Sequence, residues 1–148
     1  MLLQFKISCP NFKNGEQIPF KYSAAGENVN PELVIEDVPI GTKSFALIVD
    51  DPDAPNSTFT HWLVKNIPAK TRKIDQNSVP GIQVTNSWKT KIWGGPSPPS
   101  GTHRYFFKLY ALNVDKLEAQ TLREFYSQCD KYKIGMALLI GRYSKILV

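Results

Sequence analysis

The sequence predicts a mainly β protein, a sandwich of short and mostly antiparallel strands with one clear helix. Strand-like apolar runs, rich in β-branched and aromatic residues, recur from Leu33 to Leu112. Prolines and glycines fall in every interval between them and stop each run after a few residues. Helical periodicity is confined to one segment, from Ala119 to Tyr132.

Leu33-Val34-Ile35 is the first short strand, and Asp37-Val38-Pro39 ends it. Ser44 to Val49 is an unbroken apolar run, the signature of a strand buried on both faces. His61 to Ile67 is a third strand, ended by Pro68, and Tyr105 to Leu112 is the longest and most aromatic. Before it lies Trp93-Gly94-Gly95-Pro96-Ser97-Pro98-Pro99-Ser100-Gly101, which cannot be regular structure. Its prolines fix φ and remove backbone donors, and its glycines permit close approach by a ligand. This predicts a rigid pocket wall leading into His103. In the helical segment Leu122, Phe125, Tyr126 and Cys129 recur at three- and four-residue spacing, a packing face. Thr121 with Glu124 makes a capping box, Gly135 is the predicted stop, and Met136 to Ile140 returns as a last strand.

A chain of 148 residues with 42% apolar composition predicts one domain, residues 1–148, with a proper core. No run approaches the roughly 20 apolar residues that span a membrane, and Met136 to Ile140 is far too short. Met1 to Lys6 shows no basic leader followed by an apolar stretch, so a cytoplasmic location is expected. Cys9 and Cys129 form no metal pattern, and a cytoplasmic location argues against a disulfide, so buried thiols are expected. The net charge of +5 favours anionic partners. Its lysines are spread out, densest at Lys89-Thr90-Lys91 and Lys131-Tyr132-Lys133, with no nucleic-acid motif beside them. That predicts a solvated basic surface rather than a nucleic-acid site.

Two segments carry the chemistry. Asp50-Asp51-Pro52-Asp53-Ala54-Pro55 is followed by His61-Trp62, and Gly101-Thr102-His103-Arg104-Tyr105 lies further on. The protein's two histidines thus sit at strand starts, and convergence at one sheet end would make a small polar pocket. A carboxylate beside an imidazole orients the ring and favours its protonated form, and an imidazolium donates from both nitrogens to an anion. Both rings are therefore expected as cationic donors. His103 and Arg104 alternate along a strand, so Arg104 faces away and pairs with a carboxylate such as Asp53, while Tyr105 shares the face of His103. The candidate ligand-binding residues are Asp51, Pro55, His61, Gly95, Pro96, His103 and Tyr105, supported by Asp53 and Arg104. No catalytic residue, metal or cofactor is expected. The two histidines and two aspartates match no compact metal spacing, and no Gly-x-Ser-x-Gly elbow occurs.

The DPDAP motif, the HWLV that follows it, and GTHRYFFKLYAL after a Gly-Gly-Pro loop resemble the phosphatidylethanolamine-binding protein family. They are most similar to its short microbial, Raf-kinase-inhibitor-like branch. The resemblance runs from Phe12 to Tyr143. It implies a sandwich of two sheets with one or two peripheral helices and a non-enzymatic protein. It also implies that Asp51, His61, His103 and Tyr105 line a pocket for phosphate-like groups, with the Gly95-Pro96 loop as its wall. The DPDxP loop of that family commonly holds a cis peptide bond. Regulation of a kinase or other protein, and a homodimer, are further implications. The alternative is a serine protease inhibitor using the 93–101 loop. Longer relatives continue into a C-terminal helix edging the pocket, whereas this sequence runs to Val148, so head-group affinity and kinase regulation transfer poorly.

Overall fold

The computed structural model describes residues 4–145. In chain order its strands are β1 (Lys6–Ser8), β2 (Leu33–Glu36), β3 (Ser44–Asp51), β4 (Phe59–Pro68), β5 (Lys73–Ile74), β6 (Ile82–Val84), β7 (Thr102–Leu112) and β8 (Lys133–Ser144). One α-helix, α1 (Leu122–Tyr132), joins β7 to β8, and a single 3-10 turn occupies Phe20–Tyr22. The small sheet has the order β1-β2-β5 and the large sheet β6-β4-β3-β7-β8, with every strand pair antiparallel.

Strand β3 lies at the centre of the large sheet, and all eight of its residues are buried. One face of it, with Phe45, Leu47 and Val49, packs against Ile7, Leu33, Ile35 and Ile74 of the small sheet. The other face, with Ala46 and Ile48, packs beneath Phe125 and Cys129 of α1. The continuous apolar run is explained by this double burial. Phe107 on β7 is fully buried between Phe12 and Trp93, with ring centroids 6.0 and 6.1 Å away. Burying such a side chain contributes roughly 1.5–3 kcal/mol. Cys9 belongs to the inter-sheet core and Cys129 to the layer under α1, so both thiols are free and the large sheet separates them.

The helix begins later than its periodicity suggests. Thr121 is the N-cap: its hydroxyl accepts from the Glu124 backbone N–H at 3.2 Å, and Glu124 accepts the Thr121 N–H at 3.1 Å. The capping box thus marks the boundary, and Ala119 and Gln120 lie outside the helix. Gly135 does not stop it. Lys133 is the C-cap, and β8 starts there and runs through Gly135 and Gly141 to Ser144. Partnering along β7, from Leu112 opposite Lys133 to Thr102 opposite Ser144, overrides the weak strand preference of the two glycines. No helix is long and apolar enough to cross a membrane among the described residues.

Candidate functional site

The central strands end together at one edge of the large sheet. Asp51 closes β3, Phe59 and His61 open β4, and His103 and Tyr105 open β7. Along β7, His103 and Tyr105 are buried while Arg104 between them is exposed, the alternation expected of a strand. Strand β4 reaches the same place by breaking its alternation. Val49 pairs with Trp62 but Asp50 pairs with Thr60, so His61 is an extra residue in a β-bulge. Trp62 faces the inter-sheet core, whereas the Thr60 hydroxyl bonds Tyr126 of α1 at 2.8 Å on the opposite face. The bulge changes the phase between them and turns His61 towards Tyr105, 5.1 Å between ring centroids.

These side chains line a cavity of about 200 Å³. Asp51, His61, His103 and Tyr105 form its polar floor. Ala54 and Pro55 close one side, and Phe59 and Trp88 another. Ser97, Pro98 and Pro99 make the remaining wall. Gly95 and Pro96 do not line it. Gly95 donates its N–H to Asn28 Oδ1 at 2.8 Å, and the Pro96 carbonyl accepts from Ala24 at 3.0 Å. A Cβ on Gly95 would lie 2.1 Å from the Tyr22 carbonyl oxygen. The two residues are buried against the 22–28 segment and brace the wall from behind, so the wall begins at Ser97. The loop packs inward at Trp93, Gly95, Pro96 and Pro98.

The Asp51 carboxylate is fixed from two sides. Oδ2 accepts from His103 Nδ1 at 2.6 Å, and Oδ1 accepts the Asp53 N–H at 2.8 Å. Asp53 is turned outward. It takes Arg104 in a two-pronged pair, Nε at 2.9 Å and Nη2 at 2.8 Å, and accepts the Arg104 N–H as well. Hydrogen bonding from that guanidinium pulls the Asp53 carboxyl down to about 2. Arg104 therefore latches the acidic loop to β7 and contributes nothing to the cavity. Among the described residues every peptide bond is trans.

His61 donates from Nδ1 to the Gly94 carbonyl at 2.7 Å, since a carbonyl oxygen only accepts. Its ring is boxed by Phe59, Trp88 and Tyr105, centroids 5.3, 4.7 and 5.1 Å away. Burial pushes its pKa below the ordinary histidine value. This direction runs against the raised pKa expected from the sequence: the aromatic box removes water that would solvate an imidazolium, and that outweighs the pull of the nearby carboxylates. The Tyr105 hydroxyl is buried and makes no hydrogen bond of good geometry, although the Ser97 backbone N–H lies near enough to act on it; burial raises its pKa, so it stays protonated.

Asn86 and Trp88, like Phe59 on the cavity wall, escape the sequence reading. Asn86, fully buried, holds the 86–92 loop: Nδ2 donates to the His61 and Ile92 carbonyls, and Oδ1 accepts from the Trp88 and Thr90 N–H groups. That bracket sets Trp88 edge-on to His61 and Phe59. A Cβ on Gly94 would lie 2.2 Å from the Trp88 ring, so only glycine leaves room there. Among the described residues no three His, Cys, Asp or Glu side chains gather as metal ligands.

The comparisons with known proteins agree with this architecture. A family model described as phosphatidylethanolamine-binding protein matches residues 8–144. The UPF0098 protein of Aquifex aeolicus is 50% identical over 115 residues, covering 72% of this chain and 67% of the relative. That of Methanothermobacter thermautotrophicus is 39% identical over 144 residues, covering 90% and 95%. The crystal structure of Escherichia coli YbcL, described as a new member of the mammalian PEBP family, superposes with a TM-score of 0.91 at 31% identity, covering 98% of this chain and 100% of YbcL. A Chlamydia trachomatis protein described as a putative phosphatidylethanolamine-binding protein homolog gives 0.90 at 32% identity, covering 97% and 99%. With a family model over most of its length and relatives of this identity and coverage, the chain belongs to the phosphatidylethanolamine-binding protein family.

Proposed function

We propose that this chain is a non-catalytic binding protein whose cavity takes the phosphate or phosphate-like anionic group of a small molecule. The observation that carries it is a set of polar atoms left without protein partners at one spot. His61 and His103 each spend Nδ1 on a protein acceptor, which leaves both Nε2 atoms free. The buried Tyr105 hydroxyl beside them makes no hydrogen bond of good geometry, with only the Ser97 backbone N–H near it. A buried, unsatisfied hydroxyl costs about 1–3 kcal/mol, and a ligand oxygen in the cavity relieves that cost. The walls of Phe59, Trp88, Pro98 and Pro99 suit a small organic stem, and the volume suits a tetrahedral oxyanion. Membership of a family named for binding phosphatidylethanolamine supports the same reading.

The Asp51–His103 pair also resembles the base half of a hydrolytic site. It lacks the other half: no hydroxyl or thiol hydrogen-bonds either ring among the described residues. Calorimetric titration with methyl phosphate separates the two readings when run beside an assay of p-nitrophenyl acetate and p-nitrophenyl phosphate. Saturable one-to-one binding without turnover of either ester is expected. Turnover that His103→Ala abolishes would replace binding by catalysis.

A further inference from the structure

We propose that Tyr126, which lines no part of the cavity, is a positioning residue: through Thr60 it holds the β4 bulge that turns His61 into the site. Its effect on ligand affinity rests on the anion-site reading above, whereas its effect on the His61 ring does not. The register of β4 against β3 carries this. Opposite residues of an antiparallel pair share a face of the sheet. Val49 pairs with Trp62, and an unbroken ladder would then pair Asp50 with His61 and Asp51 with Thr60. His61 would lie on the face of Asp50, under α1, and Thr60 on the face of Asp51, towards the cavity. The observed pairs are Asp50 with Thr60 and Asp51 with Phe59. The bulge thus exchanges the two side chains, and a slip of one residue would undo the exchange.

Thr60 is held on the α1 face by its side chain. The Asp50 carboxylate can only accept, so the Tyr126 hydroxyl spends its proton on Asp50 Oδ2 at 2.7 Å. The Thr60 hydroxyl, 2.8 Å from the Tyr126 oxygen, is therefore the donor between them. Burial raises the Tyr126 pKa, so its proton stays in place. Lys108 reaches the same Asp50 oxygen at 2.8 Å, while Oδ1 is buried without a partner. Asp50 and Thr60 are almost fully buried, so little water is at hand to replace a lost bond. The Thr60 backbone is tied as well: its N–H donates to Ser87 Oγ at 2.8 Å, and its carbonyl accepts from the Ser87 N–H at 3.0 Å. The bulge is thus held to the loop carrying Trp88 on one side and to α1 on the other. Breaking the Tyr126 bond frees Thr60 to turn, and His61 to leave the cavity with it.

The test compares long-range proton–nitrogen correlation spectra of the His61 ring in the free protein, with methyl phosphate affinity and a melting curve on each sample. Tyr126→Phe and Thr60→Val each remove the bond between α1 and β4 while keeping the side chain's shape. Both are expected to shift or double the His61 ring signals and to weaken methyl phosphate binding about tenfold, the scale of one lost hydrogen bond. Thr60→Ser, which keeps the hydroxyl, is expected to behave as wild type. Lys108→Met removes the other partner of Asp50 and leaves the Tyr126–Thr60 bond, so it is expected to lower Tm without moving the His61 signals. Wild-type His61 signals in both Tyr126→Phe and Thr60→Val would overturn the proposal. The same displacement in Lys108→Met would overturn it too, as a general consequence of a weakened fold. Should either variant fail to fold, the wild-type protein decides: saturation with methyl phosphate should move the Thr60 and Tyr126 signals on the far face of the sheet, and fixed signals there would defeat the coupling. Displaced His61 signals in the variants, with no methyl phosphate binding even to wild type, would remove the anion site and leave the role of Tyr126 standing.

Discussion

His103→Ala is expected to weaken methyl phosphate binding about ten- to hundredfold, the equivalent of the roughly 1.5–3 kcal/mol carried by a hydrogen bond to a charged group. Two effects act in the same direction. The cavity is deprived of one polar group, and the Asp51 carboxylate, nearly buried, loses its 2.6 Å partner and faces the ligand uncompensated. Calorimetry gives the affinity, and a melting curve on the same sample separates weaker binding from a damaged fold. Asp51→Asn is expected to weaken binding too, although it removes a negative charge. The asparagine offers one acceptor where Asp51 serves two donors, the Asp53 N–H and His103 Nδ1. A pocket acting by positive charge alone would bind more tightly after that change.

Gly95→Ala is expected to destabilise the protein by about 1–3 kcal/mol, a fall in Tm of roughly 3–10 °C for a chain of this size. The added Cβ would meet the Tyr22 carbonyl oxygen at 2.1 Å and Asn28 Oδ1 at 2.9 Å, and backbone cannot swing aside as a flexible side chain can. The 93–101 loop must lift, and Ser97 and Pro98 lift with it. Ligand affinity is therefore expected to fall although residue 95 touches no ligand. Ser97→Ala, on the cavity wall itself, is expected to leave Tm unchanged. A Gly95→Ala protein as stable as wild type would contradict the bracing role assigned to the loop's buried half.

What the sequence revealed depends on how each element is held. Strand β3 was legible because burial on both faces leaves an unbroken apolar run, and β7 because His103, Tyr105 and Phe107 alternate with outward residues. The capping box was legible because Thr121 and Glu124 satisfy each other locally. Strands β1, β5 and β6 span two or three residues each and exist by pairing with β2 and β4, so their own sequence carries no period. The reach of β8 was hidden by its glycines. Gly141 is in the strand because a Cβ there would lie 2.5 Å from Ile18 Cγ1, a close approach rather than a break.

The site divides the same way. The outward turn of Arg104 and its pairing with Asp53 follow from strand alternation. The orientation of His61 does not, because strict alternation from Trp62 fails at the bulge, and a bulge is a property of two paired strands. Trp88 and Asn86 were invisible for a related reason. They lie in an irregular loop whose geometry comes from one buried amide holding several backbone groups. The displacement of the pocket wall from Gly95-Pro96 to Ser97-Pro98-Pro99 reflects contacts with the 22–28 segment, far away in sequence.

The most direct measurement is a series of long-range proton–nitrogen correlation spectra of the two histidine side chains during a methyl phosphate titration. The account predicts that the free protein shows His61 as a neutral ring with its proton on Nδ1. Addition of ligand should shift the Nε2 signals of both His61 and His103 in one saturable process, with Nδ1 still protonated in each. Saturation of the protein by methyl phosphate while both Nε2 signals stay fixed, or a free His61 carrying its proton on Nε2, would contradict it.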